Sequence, residues 1–179
     1  MGQFRKVCTL FALLIAAAPG QAQDSSRSRA LDDPLLDKLT GDWNVERTFG
    51  NGRTAKNVVH AEWVLQHQFL ELHYRDTAAP PKYEAIILIG YDNTAKHYIC
   101  HWSDIFGGDY STDGFAERDI PSNKMEFKFE FHDGPLTNRF TFDPQSGMWT
   151  STIHQAEKGE WKLFCEDKFA RPGRDTSKP

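Results

Sequence analysis

The segment Lys82–Asp104, KYEAIILIGYDNTAKHYICHWSD, decides how the chain is read. Two apolar-rich arms, Tyr83–Tyr91 and His97–Trp102, flank the turn-forming Asp92-Asn93-Thr94. Ile86, Ile87, Leu88 and Ile89 form a bulky, mostly β-branched run that a half-exposed helix disfavours, and Gly90 ends it just before the turn. In the second arm Tyr98, Cys100 and Trp102 take one face while His97 and His101 take the other, the period of two that an extended chain imposes. The pattern predicts a β-hairpin inside an antiparallel sheet.

The same alternation recurs on both sides. Gly41–Phe49 sets Trp43, Val45, Arg47 and Phe49 against Asp42, Asn44, Glu46 and Thr48, and Gly50-Asn51-Gly52 turns the chain. Asn57–Leu65 offers Val59, Ala61, Trp63 and Leu65 to one face, His67-Gln68 makes a short connection, and Phe69–Asp76 repeats the pattern with Leu70, Leu72 and Tyr74. Downstream, Met125, Phe127, Phe129 and Phe131 alternate strictly with Glu126, Lys128, Glu130 and His132, the strongest strand signal in the chain. Leu136–Phe142, Gly147–Gln155 and Glu160–Ala170 follow, separated by Asp143–Gly147 and Lys158-Gly159. About ten short strands on hairpin-length turns predict an all-β, up-and-down antiparallel barrel, because closure removes exposed edges. An open β-sandwich is the alternative, and the short consecutive connections favour the meander. Ahead of the strands, Ala30–Leu39 spaces Leu31, Leu35, Leu36 and Leu39 helically, with Asp33-Pro34 as cap and first turn. This predicts a short N-terminal helix covering one end of the barrel.

The ends of the chain read differently. Arg5 and Lys6, the uninterrupted Cys8–Ala18 apolar run and Pro19-Gly20-Gln21-Ala22 have the layout of a secretory signal peptide over 1–22. The run is short for a bilayer, which needs about 20 residues. A polar leader (23–29), a barrel domain (30–171) and a polar tail (172–179) follow. Without Arg5 and Lys6 the chain holds 19 basic against 25 acidic side chains, a formal charge of −6. That balance argues against nucleic acid, which calls for a basic stripe, and no polybasic segment suits an anionic membrane surface. The expected setting is secreted, in a bacterial periplasm, with no membrane insertion once the signal is cleaved. Cys100 and Cys165 are too few for a disulfide scaffold. Their strands sit half a barrel apart, so free, buried thiols are expected.

Gly41-Asp42-Trp43 after a short helix is similar to the Gly-X-Trp signature of the lipocalin and wider calycin barrels. Leu36–Ala170 more closely resembles a bacterial domain-of-unknown-function family, number fifteen seventy-nine. The segments that carry this likeness are LTGDW (Leu39–Trp43), EWVLQHQFLELHY (Glu62–Tyr74), IGYD (Ile89–Asp92) and WSDIFG (Trp102–Gly107). The resemblance implies a calycin-like barrel and no established reaction. Lipocalins also place a basic residue late in the barrel against the signature Trp, a position Lys168 or Arg171 would take here. Nitrobindin-type haem barrels share the general shape, and His154 is the residue to propose for their iron.

The sequence names no cofactor. His97 and His101 are four residues apart, about 13 Å on a strand, too far for one metal ion. A site across strands from His60, Glu62, Glu71 and His73 stands against a solvated polar face. Ser103-Asp104 beside His101 lacks a nucleophile elbow. Glu62, Glu71, Asp104, Asp109 and Asp113 are candidate carboxylates for acid–base work, and no catalytic residue is assigned. The aromatic load is more informative, Trp149 and Trp161 included. A barrel of ten strands is wider than side chains readily fill. Trp43, Trp63, Tyr74 and Tyr98 are candidate ligand-binding residues. So are Trp102, Phe129 and the polar Arg47, which would orient a head group. The leading expectation is a barrel that binds a small apolar or amphipathic ligand in its lumen. An enzyme using a lumen carboxylate or His (Glu62 or His73) and a haem-binding barrel are the alternatives, and the oligomeric state is open.

Overall fold

The computed structural model describes residues 30–118 and 122–173. The expected signal peptide, the polar leader and most of the tail lie outside these residues. Ten strands close into a barrel in which each pairs with its neighbours in sequence: β1 (Gly41–Phe49), β2 (Thr54–Val64), β3 (Phe69–Asp76), β4 (Glu84–Asp92), β5 (His97–Asp104), β6 (Thr112–Glu117), β7 (Lys124–Phe131), β8 (Gly134–Asp143), β9 (Met148–Glu157) and β10 (Glu160–Ala170). β1 pairs antiparallel with β10, Val45 opposite Phe169, so no edge is left open.

Alternation along each strand sends one set of side chains inward. Trp43, Val45 and Arg47 are buried on β1, Leu70, Leu72 and Tyr74 on β3, and Met125, Phe127 and Phe129 on β7. Cys100 and Cys165 are free and buried, on strands half the circumference apart. Two expectations fail at chain irregularities. Leu65 does not continue the inner face of β2; it leaves the strand with φ 50°, opens a Leu65–Gln68 turn and is exposed. Trp161 is 53 % exposed, because the β10 register shifts between Leu163 and Cys165. The extra residue there turns Trp161 and Leu163 outward while Cys165, Asp167 and Phe169 point in.

One end of the barrel is shut. A single helical turn, α1 (Pro34–Asp37), is shorter than the Ala30–Leu39 stretch, and Asp33 caps it by accepting from the Leu35 and Leu36 amides. Leu36 and Leu39 are fully buried above Trp43, Trp149, Phe127 and Phe169. Burying each such side chain contributes about 1.5–3 kcal/mol. The indole N–H groups of Trp43 and Trp149 donate to the Leu39 and Lys38 carbonyls at 2.7 and 3.2 Å. The Tyr98 hydroxyl donates to Asp33 at 2.6 Å, and Arg118 reaches the same carboxylate at 3.2 Å. Arg171, just past β10, stacks on Trp43 at 3.5 Å and donates to the Asp42 and Lys38 carbonyls. Lys168 lies between the inward Asp167 and Phe169 and faces out beside Glu166.

Candidate ligand cavity

The opposite half of the barrel is hollow. A cavity of about 800 Å³ opens among the β1–β2, β3–β4, β5–β6 and β7–β8 connections. Its volume is that of a small-molecule site. Trp102, Phe129, Phe131, Leu136 and Ile153 form an apolar wall on the β5–β9 side. Gly114 lies opposite Phe129 on the neighbouring strand, and an added Cβ would come within 2.4 Å of the ring. The missing side chain is what lets this ring pack against the neighbouring strand. Arg47, Arg53, Lys56, Asn57 and Lys82 line the other side.

A buried ion pair forms the floor. Arg47 Nε and Nη2 donate to the two Asp167 carboxylate oxygens at 2.7 Å each, a bidentate fork with side chains 8 % and 3 % exposed. Aromatic rings surround the guanidinium: Tyr74 at 4.9 Å, Tyr83 at 5.5 Å and Phe49 at 5.9 Å from ring centroid to Cζ. Burial works against the Arg47 charge, but the hydrogen bonds and charge of Asp167 outweigh it and raise the pKa, so Arg47 is cationic. Burial, reinforced by Asp167, raises Tyr74, and burial with Asp104 raises Tyr83; both are neutral phenols at physiological pH. Burial likewise pushes the Cys165 thiol up to about 12, so it is no nucleophile.

The acids around the mouth are held locally. Asp76 accepts from the Ala78 and Lys82 amides at 2.9 Å each. Asp104 accepts from Phe106 N, Trp102 Nε1 and the Tyr83 hydroxyl, and Asp133 from the Tyr110 hydroxyl. Asn57 is different. It is 3 % exposed, and its amide nitrogen has no hydrogen-bond partner.

Of the seven candidate residues from the sequence, Arg47, Trp102 and Phe129 line the cavity. Tyr74 lies under it against Arg47. Trp43 and Tyr98 are tied into the shut end by the Leu39 carbonyl and Asp33, and Trp63 stacks on His67 at 4.0 Å and donates to Asp37. These three take the same inward parity as the cavity residues, and only their height along the barrel separates them. Glu62 is exposed, and His73 pairs with Glu84 at 2.5 Å on the outer surface, so neither is a lumen acid or base. His154 lies between the inward Ile153 and Gln155, opposite Leu163 and Thr137, and also faces out, which removes it as a lumen haem ligand. Among the described residues no cluster of His, Cys, Asp and Glu is arranged to hold a metal ion. Sequence reasoning passed over Asn57 and Asp167. Both carried a signal, as polar residues in phase with apolar neighbours: Asn57 with Val59 and Ala61, Asp167 with Cys165 and Phe169.

No family model matches the chain, and no curated protein does. Among solved structures the chain is similar to a redesigned β-barrel, with 12 % identity over 76 % of this chain and 94 % of that one and a TM-score of 0.37.

Proposed function

We propose that this chain is an exported, calycin-like barrel that binds a small amphipathic molecule in its open half. The cavity carries this reading: about 800 Å³ with an apolar wall on one side and basic residues on the other. An apolar body packs against Trp102, Phe129, Phe131 and Ile153, and an anionic group sits at the mouth near Arg53, Lys56 and Lys82. Acidic residues share the mouth, but Asp76, Asp104 and Asp133 are each engaged in local hydrogen bonds. Burial of the apolar body supplies affinity at about 25 cal/mol per Å², and the basic residues orient it. Periplasmic location and membership of the bacterial family numbered fifteen seventy-nine belong to the same proposal. The stacking of Arg171 on Trp43 supports the calycin resemblance, since a late basic residue on the signature Trp is what that resemblance implies.

The test is a titration with 1-anilinonaphthalene-8-sulfonate, an apolar aromatic anion, against the protein and its Leu136→Trp variant. Saturation at one probe per chain, lost when the larger side chain fills the cavity in a still-folded barrel, supports the reading. Equal binding by both proteins places the probe elsewhere and overturns it. A native mass spectrum of protein purified from its own periplasm, beside a denatured one, then identifies the natural occupant.

A further inference from the structure

The floor of the cavity holds more chemistry than a non-specific apolar pocket needs. Asn57 lies inside β2, paired with Val45 on β1 and Asp76 on β3. It is 97 % buried, lines the cavity, and its Nδ2 donates to nothing. A buried donor left unsatisfied forfeits its hydration with nothing in return, so such a group calls for an explanation. Register places Asp76 beside it as the natural acceptor. Both Asp76 oxygens, however, are turned to the Ala78 and Lys82 amides of the β3–β4 connection.

Arg47 stands one inward position further along β1, opposite the small Ala55. Its Nε and Nη2 are spent on Asp167, and Nη1 lies outside that fork. Asn57 and Arg47 thus stand at successive inward positions of adjacent strands and both line the cavity, a diagonal spacing that long side chains bridge. The charge balance decides what kind of ligand atom suits them. Asp167 already neutralises Arg47, so an anionic group there would bring a second carboxylate toward Asp167 with no free cation to match it. A neutral oxygen accepts from both donors and introduces no buried charge.

We infer that the inner end of the ligand carries a neutral acceptor oxygen, a carbonyl for preference, held by Asn57 Nδ2 and the open edge of Arg47. This rests on the cavity being a ligand site, and it assigns the ligand class: a molecule with an apolar body and an uncharged carbonyl at its buried end. The donors then act as a specificity device. A ligand without the oxygen fits the walls equally well and leaves Asn57 unpaired.

The experiment measures binding of two near-isosteric compounds, 2-acetylnaphthalene and 2-isopropenylnaphthalene, by displacement of the anilinonaphthalene sulfonate. They differ in a C=O replaced by C=CH₂. The full protein should prefer the ketone by about tenfold, the equivalent of one buried hydrogen bond. Asn57→Leu should bring the ratio close to one, and Asn57→Asp, the same size without the donor, should lower ketone affinity. Equal affinities in the unmodified protein overturn the acceptor proposal and leave the cavity reading standing. A ketone preference that survives both substitutions in folded protein overturns the role of Asn57. Binding of neither compound overturns the cavity reading and this proposal with it.

Discussion

Replacing Arg47 by Met should be among the most damaging single changes in the barrel. The substitution removes two 2.7 Å hydrogen bonds and leaves the Asp167 carboxylate, 3 % exposed, with the Tyr74 hydroxyl at 3.4 Å as its remaining side-chain partner among the described residues. Methionine retains much of the apolar stem, so lost packing is a minor part of the effect. The main cost is an uncompensated buried charge, which for broken buried pairs runs to about 3–5 kcal/mol. Removing both charges together, as Arg47→Met with Asp167→Leu, avoids that penalty and should land within about 1 kcal/mol of the parent, since buried pairs roughly break even against apolar replacements. Asp167→Leu alone leaves the guanidinium buried without its partner and should also destabilise, softened by the surrounding Tyr74, Tyr83 and Phe49 rings. Urea unfolding at neutral pH, with slopes compared to confirm an unchanged transition, reads all four proteins. A cost below about 1 kcal/mol for Arg47→Met, or a double variant as unstable as the sum of the singles, would refute an uncompensated buried charge as the cause.

Two further outcomes follow from the shut end and the outer surface. Arg171→Ala should destabilise by about 1–2 kcal/mol, because it strips a stacked cation from Trp43 and two donors from the Asp42 and Lys38 carbonyls; Lys168→Ala should change little, and equal thermal shifts for the two would contradict the assignment. His60 is held at 2.7 Å by Asp42, whose hydrogen bond raises its pKa above 6.5. The stabilisation is therefore fully present below about pH 6.5 and lost as pH rises through the raised folded value, so His60→Gln should flatten the decline of melting temperature above neutrality, and an unchanged slope would show that this pair contributes nothing.

Strand identity was readable because it is a local property. Side chains alternate along any extended chain, and Met125–Phe131 or Trp43–Arg47 state their inner face without reference to anything distant. Closed meander topology followed from ten such segments on short turns. The inward parity of Arg47, Trp102 and Phe129 was readable for the same reason. Their height was not. Parity separates inside from outside and says nothing of which half of the tube is plugged, so Trp43 and Tyr98 joined the candidates although Leu36, Leu39 and Asp33 cover them.

The chain by itself determines the elements, their order and the apolar face of each strand, since these depend on residues two to four positions apart. Tertiary structure alone decides the partners. Arg47 meets Asp167 across 120 residues of sequence because barrel closure sets β1 against β10. One extra residue at the β10 irregularity sends Trp161 to solvent, a slip in phase that composition does not encode. Arg171 rather than Lys168 reaches Trp43 because it lies past the end of the strand, free of alternation. Asn57 is left without an acceptor because the β3–β4 loop takes both oxygens of Asp76. Each of these is a long-range contact, set by closure and register rather than by neighbouring residues.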